Sequence, residues 1–106
     1  MKLHWSPKSP YVRKVMIVAH ELGLQDRIEK VRSVAAMKTP NPAIMADNPL
    51  SKIPTLVLDH GEAIFGSQTI CEYLDAQAGG GRLLPQAGAA RWTALTWQAL
   101  GDGLLD

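Results

Sequence analysis

Asn48-Pro49-Leu50-Ser51-Lys52-Ile53-Pro54, followed by the apolar run Thr55-Leu56-Val57-Leu58 and then by Gly66-Ser67, is the stretch that decides how this chain folds. A proline heading a strand leaves the peptide before it without a ladder partner, and a serine opening a helix sits among amide hydrogens that have no intrahelical acceptor. Both features set unpaired backbone groups where a ligand can use them. The Ile53–Pro54 bond is a candidate for the cis form, although a trans proline starting a strand satisfies the same pattern. Ser67 reads as the N-cap of the next helix, a role compatible with binding a free carboxylate at the same end.

Working outward, Thr55 to Leu58, the turn Asp59-His60-Gly61 and the run Ala63 to Phe65 read as a hairpin. Ile70, Tyr73 and Leu74 give the following helix one apolar face. On the other side, Ala35 to Asn48 is interrupted by prolines and reads as a mobile segment, with one helical turn at Ala43 to Ala46. Ile28 to Val34 alternates apolar and charged residues as a half-exposed strand does. Leu3 to Trp5 is a short strand, and a helix runs from Pro10 to Gly23 with Val15, Met16, Ala19 and Leu22 at helical spacing. Ile17 and Val18 widen that face, which predicts a helix buried against a sheet.

Gly79-Gly80-Gly81 follows a helix instead of a strand, so it reads as a linker and not as a phosphate loop. Helical spacing resumes at Ala89 with Trp92, Leu95 and Ala99, and the pattern runs to Leu104-Leu105-Asp106 without a stop signal. Apolar surface on this helix therefore expects a cover, further sequence being the preferred one and a partner the other.

The 106 residues are 46% hydrophobic, enough for one core, and 11 Lys+Arg nearly cancel 10 Asp+Glu. With no blocks of one sign, nucleic acid and anionic lipid are not expected partners. No apolar stretch is long enough for a bilayer or a signal peptide, so a cytoplasmic location is expected. One cysteine, Cys71, and three scattered histidines give neither a Cys-x-x-Cys pair nor metal-ligand spacing, so no metal is expected.

Ser9 lies between the first strand and the first helix, where its hydroxyl and the helix amides stabilise an anion or simply cap the helix. Ser6 is a second hydroxyl in that loop. Neither can be given a His and acidic partner from sequence, so a serine-hydrolase triad has no support. Lys52 could neutralise a carboxylate or be merely solvated. Cys71 reads as a small buried hydrophobe, and Trp5, Trp92, Trp97 and Phe65 read as packing residues. Spacing names no partner for His4, His20 or His60.

Ser9-Pro10-Tyr11-Val12-Arg13, Asn48 to Leu56, and Phe65-Gly66-Ser67-Gln68-Thr69-Ile70-Cys71-Glu72-Tyr73-Leu74 together resemble the N-terminal domain of a bacterial glutathione transferase. The first stretch is similar to a glutaredoxin corner with serine in place of the nucleophilic cysteine, and the second to a thioredoxin-type cis-proline loop. The resemblance implies an α/β, thioredoxin-like βαβ-ββα domain with a mixed four-stranded sheet and three helices over residues 1–78. It further implies a linker at 79–88, and at 89–106 the first helix of an all-α domain.

It also implies glutathione as co-substrate and no metal. Glutathione would lie along the loop before Pro54, with its cysteinyl backbone on Ile53, its γ-glutamyl carboxylate on Ser67 and its glycine carboxylate near Lys52. Ser9, or Ser6 in its place, would donate to the sulfur; Ser9 is preferred because it aligns with the glutaredoxin nucleophile. Gly66 stands where many members carry an acidic residue or glutamine, which removes one polar contact. Asp102 is matched to acidic residues that in some relatives reach the glutathione amine across a homodimer interface. The implied activity is attack of the glutathione thiolate on a small electrophile, the alternative being a non-catalytic protein-interaction module. Thiol-disulfide exchange would need a cysteine at position 9.

Overall fold

The computed structural model of the chain describes residues 1–34 and 41–106. Strand β1 (Lys2–Trp5) runs into a loop from which Ser9 caps helix α1 (Pro10–Glu21), its hydroxyl accepting the Val12 amide at 3.2 Å. Pro10 occupies a first-turn position where its missing N–H costs nothing. Gly23, at φ 72°, lets the chain leave the helix, and a 3-10 turn at Gln25–Arg27 leads into β2 (Glu29–Arg32). The short helix α2 (Pro42–Met45) is capped by Asn41, and β3 (Thr55–Val57) and β4 (Ala63–Phe65) form the hairpin. Helices α3 (Ser67–Gln77) and α4 (Gly88–Leu105) complete the chain.

The sheet order is β2-β1-β3-β4, with β2 parallel to β1 and the other pairs antiparallel. This is the mixed four-stranded sheet of the thioredoxin-like βαβ-ββα arrangement. Leu3 and Leu56 are register partners, so both point to one face, where they pack against Val12, Val15 and Ala19 of α1 and Ile70 and Leu74 of α3. Each of these leucine, isoleucine and valine side chains, removed from water, contributes ~1.5–3 kcal/mol before entropy is counted, and the Ala19 methyl less. His4 and Thr55, the next register pair, face the opposite side, as alternation requires.

Two expectations change. Ile17 is 56% exposed, so the buried stripe of α1 is narrower than its apolar content implies. Trp92 and Trp97 are each 67% exposed and do not pack into the core, and no residue of α4 is fully buried. The mobile segment read over Ala35 to Asn48 falls partly on residues 35–40, outside the described residues, while Pro42–Met45 forms the expected helical turn. Among the described residues, no helix is long and apolar enough to cross a membrane.

Candidate functional site

A cleft of about 220 Å³ opens at the end of the sheet where β3 begins, lined by Tyr11, Leu50, Lys52, Ile53, Pro54, Phe65 and Ser67 together with Asn48 and Gly66. Its floor is built by Asn48, whose side chain is almost fully buried. The Asn48 amide nitrogen donates to the Lys52 carbonyl (3.2 Å) and to the Thr55 hydroxyl (3.1 Å), and its oxygen accepts the Leu50 N–H (2.9 Å). The Thr55 hydroxyl in turn donates to the Lys52 carbonyl at 2.8 Å. Ser51 takes a left-handed conformation, φ 52°, and accepts the Asn41 N–H at 2.9 Å. One side chain thus closes the loop upon itself, which fixes where the residues after it can point.

Ile53 follows. Its peptide bond to Pro54 is cis, its side chain packs against the core, and no described residue bonds to its backbone N–H or C=O. An edge-exposed peptide of this kind is a template for an extended ligand.

Across the cleft, Gly66 is the N-cap of α3 at φ 86°, ψ 122°, and Ser67 is the first helical residue. This corrects the reading of Ser67 as the cap. A capping serine needs extended backbone before the helix, but here the turn is made by the glycine, whose positive φ suits it to the position. Ser67 makes no capping bond, and no described residue takes its hydroxyl. It therefore opens onto the cleft beside first-turn amides, at the positive end of the helix. Lys52 is exposed at the rim.

Ser9 and Ser6 do not line this cleft. Ser9 accepts the Val12 amide and Ser6 the Lys8 amide at 3.3 Å. A cap uses the serine oxygen as acceptor, so the Ser9 proton is left to be donated elsewhere. Tyr11, two residues on, does line it. Its phenol donates to the Asp102 carbonyl at 3.2 Å and bonds to Asp106; that bond, burial and the two carboxylates push it up to about 12. Asp102 lies on the α4 face turned to α1, its carboxylate paired with Lys14 at 2.9 Å. Cys71, buried on α3, is pushed up to about 11, chiefly by burial, which makes it a poor nucleophile. Among the described residues no cluster of three metal-ligating side chains occurs.

A wider groove of about 570 Å³ lies at the opposite end of the sheet, beside Met1, Arg27 and Asp59. Of its polar groups, the terminal amine is engaged, bonding to the Arg27 carbonyl and to Asp59, whereas the charged side chains of Lys2, Asp26 and Glu29 line it as a solvated rim. The smaller cleft, with an unpaired peptide and a free hydroxyl, has the chemistry of a binding site.

Asn48 and Tyr11 were legible as letters but not as site residues. An asparagine before Pro49 signals a turn, yet only the fold reveals that its side chain organises the loop.

Residues 8–77 match the family profile described as glutathione S-transferase, N-terminal domain. The structure is similar to that of a glutathione transferase family member from Pseudomonas fluorescens Pf-5 with bound glutathione: TM-score 0.95, 46% identity, 99% of this chain and 51% of that one covered. In sequence the chain is similar to an uncharacterised GST-like protein, YibF of Escherichia coli K12, at 32% identity over 100% of this chain and 50% of that protein. It is also similar to glutathione S-transferase A of Pleuronectes platessa, at 31% identity over 98% of this chain and 46% of that protein. The chain spans about half the length of these curated relatives.

Proposed function

The chain belongs to the glutathione S-transferase family through its N-terminal domain, and from that premise we propose that the cleft binds glutathione and presents its thiolate to a small electrophile. The observation that carries the reading is the pairing of an unbonded Ile53 peptide with an open Ser67 hydroxyl across one cleft. The cysteinyl backbone of glutathione pairs with Ile53 ahead of Pro54, as an added strand would. The γ-glutamyl carboxylate meets Ser67 and the first-turn amides of α3, and the glycine carboxylate meets Lys52. Gly66 contributes backbone only at the γ-glutamyl end.

A free thiol, with a pKa of ~8.5, is only a few per cent thiolate at neutral pH. Ser9 lies outside the cleft lining, two residues before Tyr11, which lines it; with its oxygen engaged by the Val12 amide, it keeps its proton to hydrogen-bond a sulfur that extends beyond the cleft, with the positive end of α1 behind it. The thiol proton passes to solvent, the thiolate lone pair forms the bond to the electrophile, and the leaving group departs with the electron pair of the bond that breaks. Ser6 is the alternative donor. We assign residues 1–78 to the glutathione-binding domain, 79–88 to a linker and 89–106 to the first helix of a helical domain. In the homodimer that we propose, Asp102 lies near the amine of glutathione bound to the other copy, and the protein works in the cytoplasm.

The exposed Trp92, Trp97 and Leu104 of α4 favour a second reading, a protein-interaction module. Calorimetric titration of glutathione into the chain and its Ser67→Ala variant decides between them. Saturable binding that weakens ~10-fold or more in the variant, the size of a lost hydrogen bond to a charged group, supports the first. No heat of binding at millimolar glutathione supports the second. Ser9→Ala is expected to lower turnover with glutathione binding largely intact.

A further inference from the structure

His4, on β1, is buried, and its ring bridges two groups distant in sequence: Nδ1 lies 2.8 Å from the Ser33 hydroxyl and Nε2 lies 2.7 Å from the Asp47 carboxylate. The Ser33 hydroxyl also sits 3.1 Å from the Val31 carbonyl. Although Ser, His and Asp are thus in line, this is no hydrolytic triad, because Ser33 is 4% exposed and its oxygen is closed off from any substrate.

The protons available to the three groups limit how they can bond. Asp47, ionised, only accepts, so Nε2 must carry a proton. The Val31 carbonyl only accepts, so the Ser33 proton goes to it, and the Ser33 oxygen then accepts from Nδ1. All three bonds coexist only when both ring nitrogens are protonated. A neutral ring with its proton on Nε2 makes Ser33 choose between Nδ1 and Val31. Among the described residues, Asp47, just past α2, is the charged group in contact with the ring; Ser33 after β2 and Thr55 on β3 are uncharged neighbours.

Asp47 immediately precedes Asn48, the residue that folds the cleft loop, and Thr55, where that loop ends, is the register partner of His4. The loop is tied to His4 at both ends. We infer that His4 is a positioning residue for the cleft: its doubly protonated ring, clamped between Asp47 and Ser33, holds the 48–54 loop in the form that presents the Ile53 peptide. Loop order therefore follows the proton on His4. The ligand arm of the test rests on the glutathione reading; the rest does not.

The test is a pH titration of the isotope-labelled chain by NMR, following the His4 ring nitrogens and the amides of Leu50, Lys52 and Ile53. These amides are expected to move with the midpoint of the ring. The step is expected to vanish in His4→Phe and to collapse in Asp47→Asn, a half-exposed position whose isosteric change should leave the fold intact. Loop amides indifferent to the ring's titration, or a step that survives in both variants, would overturn the inference. In parallel, glutathione affinity should fall ~5-fold or more in Asp47→Asn, the lower end of ordinary coupling between sites; an affinity equal to that of the unaltered chain, which binds glutathione, counts against His4 positioning. If the unaltered chain binds no glutathione, the functional reading fails while the amides still decide the role of His4.

Discussion

Asp75 is buried near the end of α3, and its carboxylate accepts three backbone amides: Arg82 at 3.1 Å and Leu83 at 3.2 Å on one oxygen, Leu84 at 3.1 Å on the other. Replacing it with alanine leaves all three donors without a partner. A hydrogen bond to a charged group contributes ~1.5–3 kcal/mol, so three taken separately would suggest ~5–9 kcal/mol. Two effects reduce that figure. Arg82 and Leu83 are exposed, so their amides can be rehydrated, and a carboxylate near a helix C-terminus is itself disfavoured by the dipole. The expected loss for Asp75→Ala is therefore about 3 kcal/mol, dominated by the half-buried Leu84 amide and by release of the 82–84 segment. Asp75→Asn keeps one carbonyl oxygen for Arg82 and Leu83 but can turn an N–H toward Leu84, and should lose about half as much. Urea unfolding followed by far-ultraviolet circular dichroism gives both values. It is best read on the helices, because the exposed Trp92 and Trp97 dilute the fluorescence change of the half-buried Trp5. Both variants unfolding within ~0.5 kcal/mol of the parent chain, the range of an ordinary surface change, would refute the clamp.

Cys71, pushed up to about 11 by burial, should react with iodoacetamide at neutral pH at least ~100-fold more slowly in the folded chain than in urea, since an exposed thiol titrates near ~8.5; equal rates would show that the thiol is accessible. Because this folded-state value is raised, the stabilisation linked to the protonated thiol is complete below the ordinary thiol range and is lost as pH climbs toward about 11. Gly66→Ala meets only the Thr69 hydroxyl oxygen at 3.6 Å, so space is not limiting, but φ 86° is strained for alanine and the variant should lose ~1–3 kcal/mol in urea. No change would mean that the α3 turn readily adopts another conformation. Asp106→Asn should bring the Tyr11 phenol down from about 12 toward its ordinary value, read by phenolate absorbance; an unmoved midpoint would remove Asp106 as the main cause.

The elements were legible where local chemistry decides them. Ser9-Pro10 and Gly23 bracket α1, and Asp59-His60-Gly61 turns the hairpin, because caps and turns depend on neighbours in the chain. Site readings failed where one residue's role depends on another's backbone. Ser67 reads as a cap until Gly66 is seen to make the turn itself. His4 had no partner that spacing could name, since Ser33 and Asp47 lie 29 and 43 residues away and meet the ring only after the strand crossover is folded. Asp75 meets Arg82, Leu83 and Leu84 only because glycines at 79, 80 and 81, all with positive φ, turn the chain back toward the end of α3. The tryptophans of α4, read as packing residues, find no facing surface here, which is the uncovered apolar face that the helical spacing from Ala89 implied.

Ile53 divides its two halves between two neighbours, the side chain packing with the core and the peptide facing the cleft. A peptide group is the same in every residue except proline, so whatever pairs with it cannot sense which side chain is attached. Position 53 is thereby free to drift among apolar residues as the core is repacked, without retuning recognition. The selective burden shifts to residues that shape the main chain from a distance, Asn48 and Gly66 among them. A saturation library read by ligand capture would find tolerance at 53 and intolerance at 48 and 66, a mutational map in which the contact residue is the permissive one.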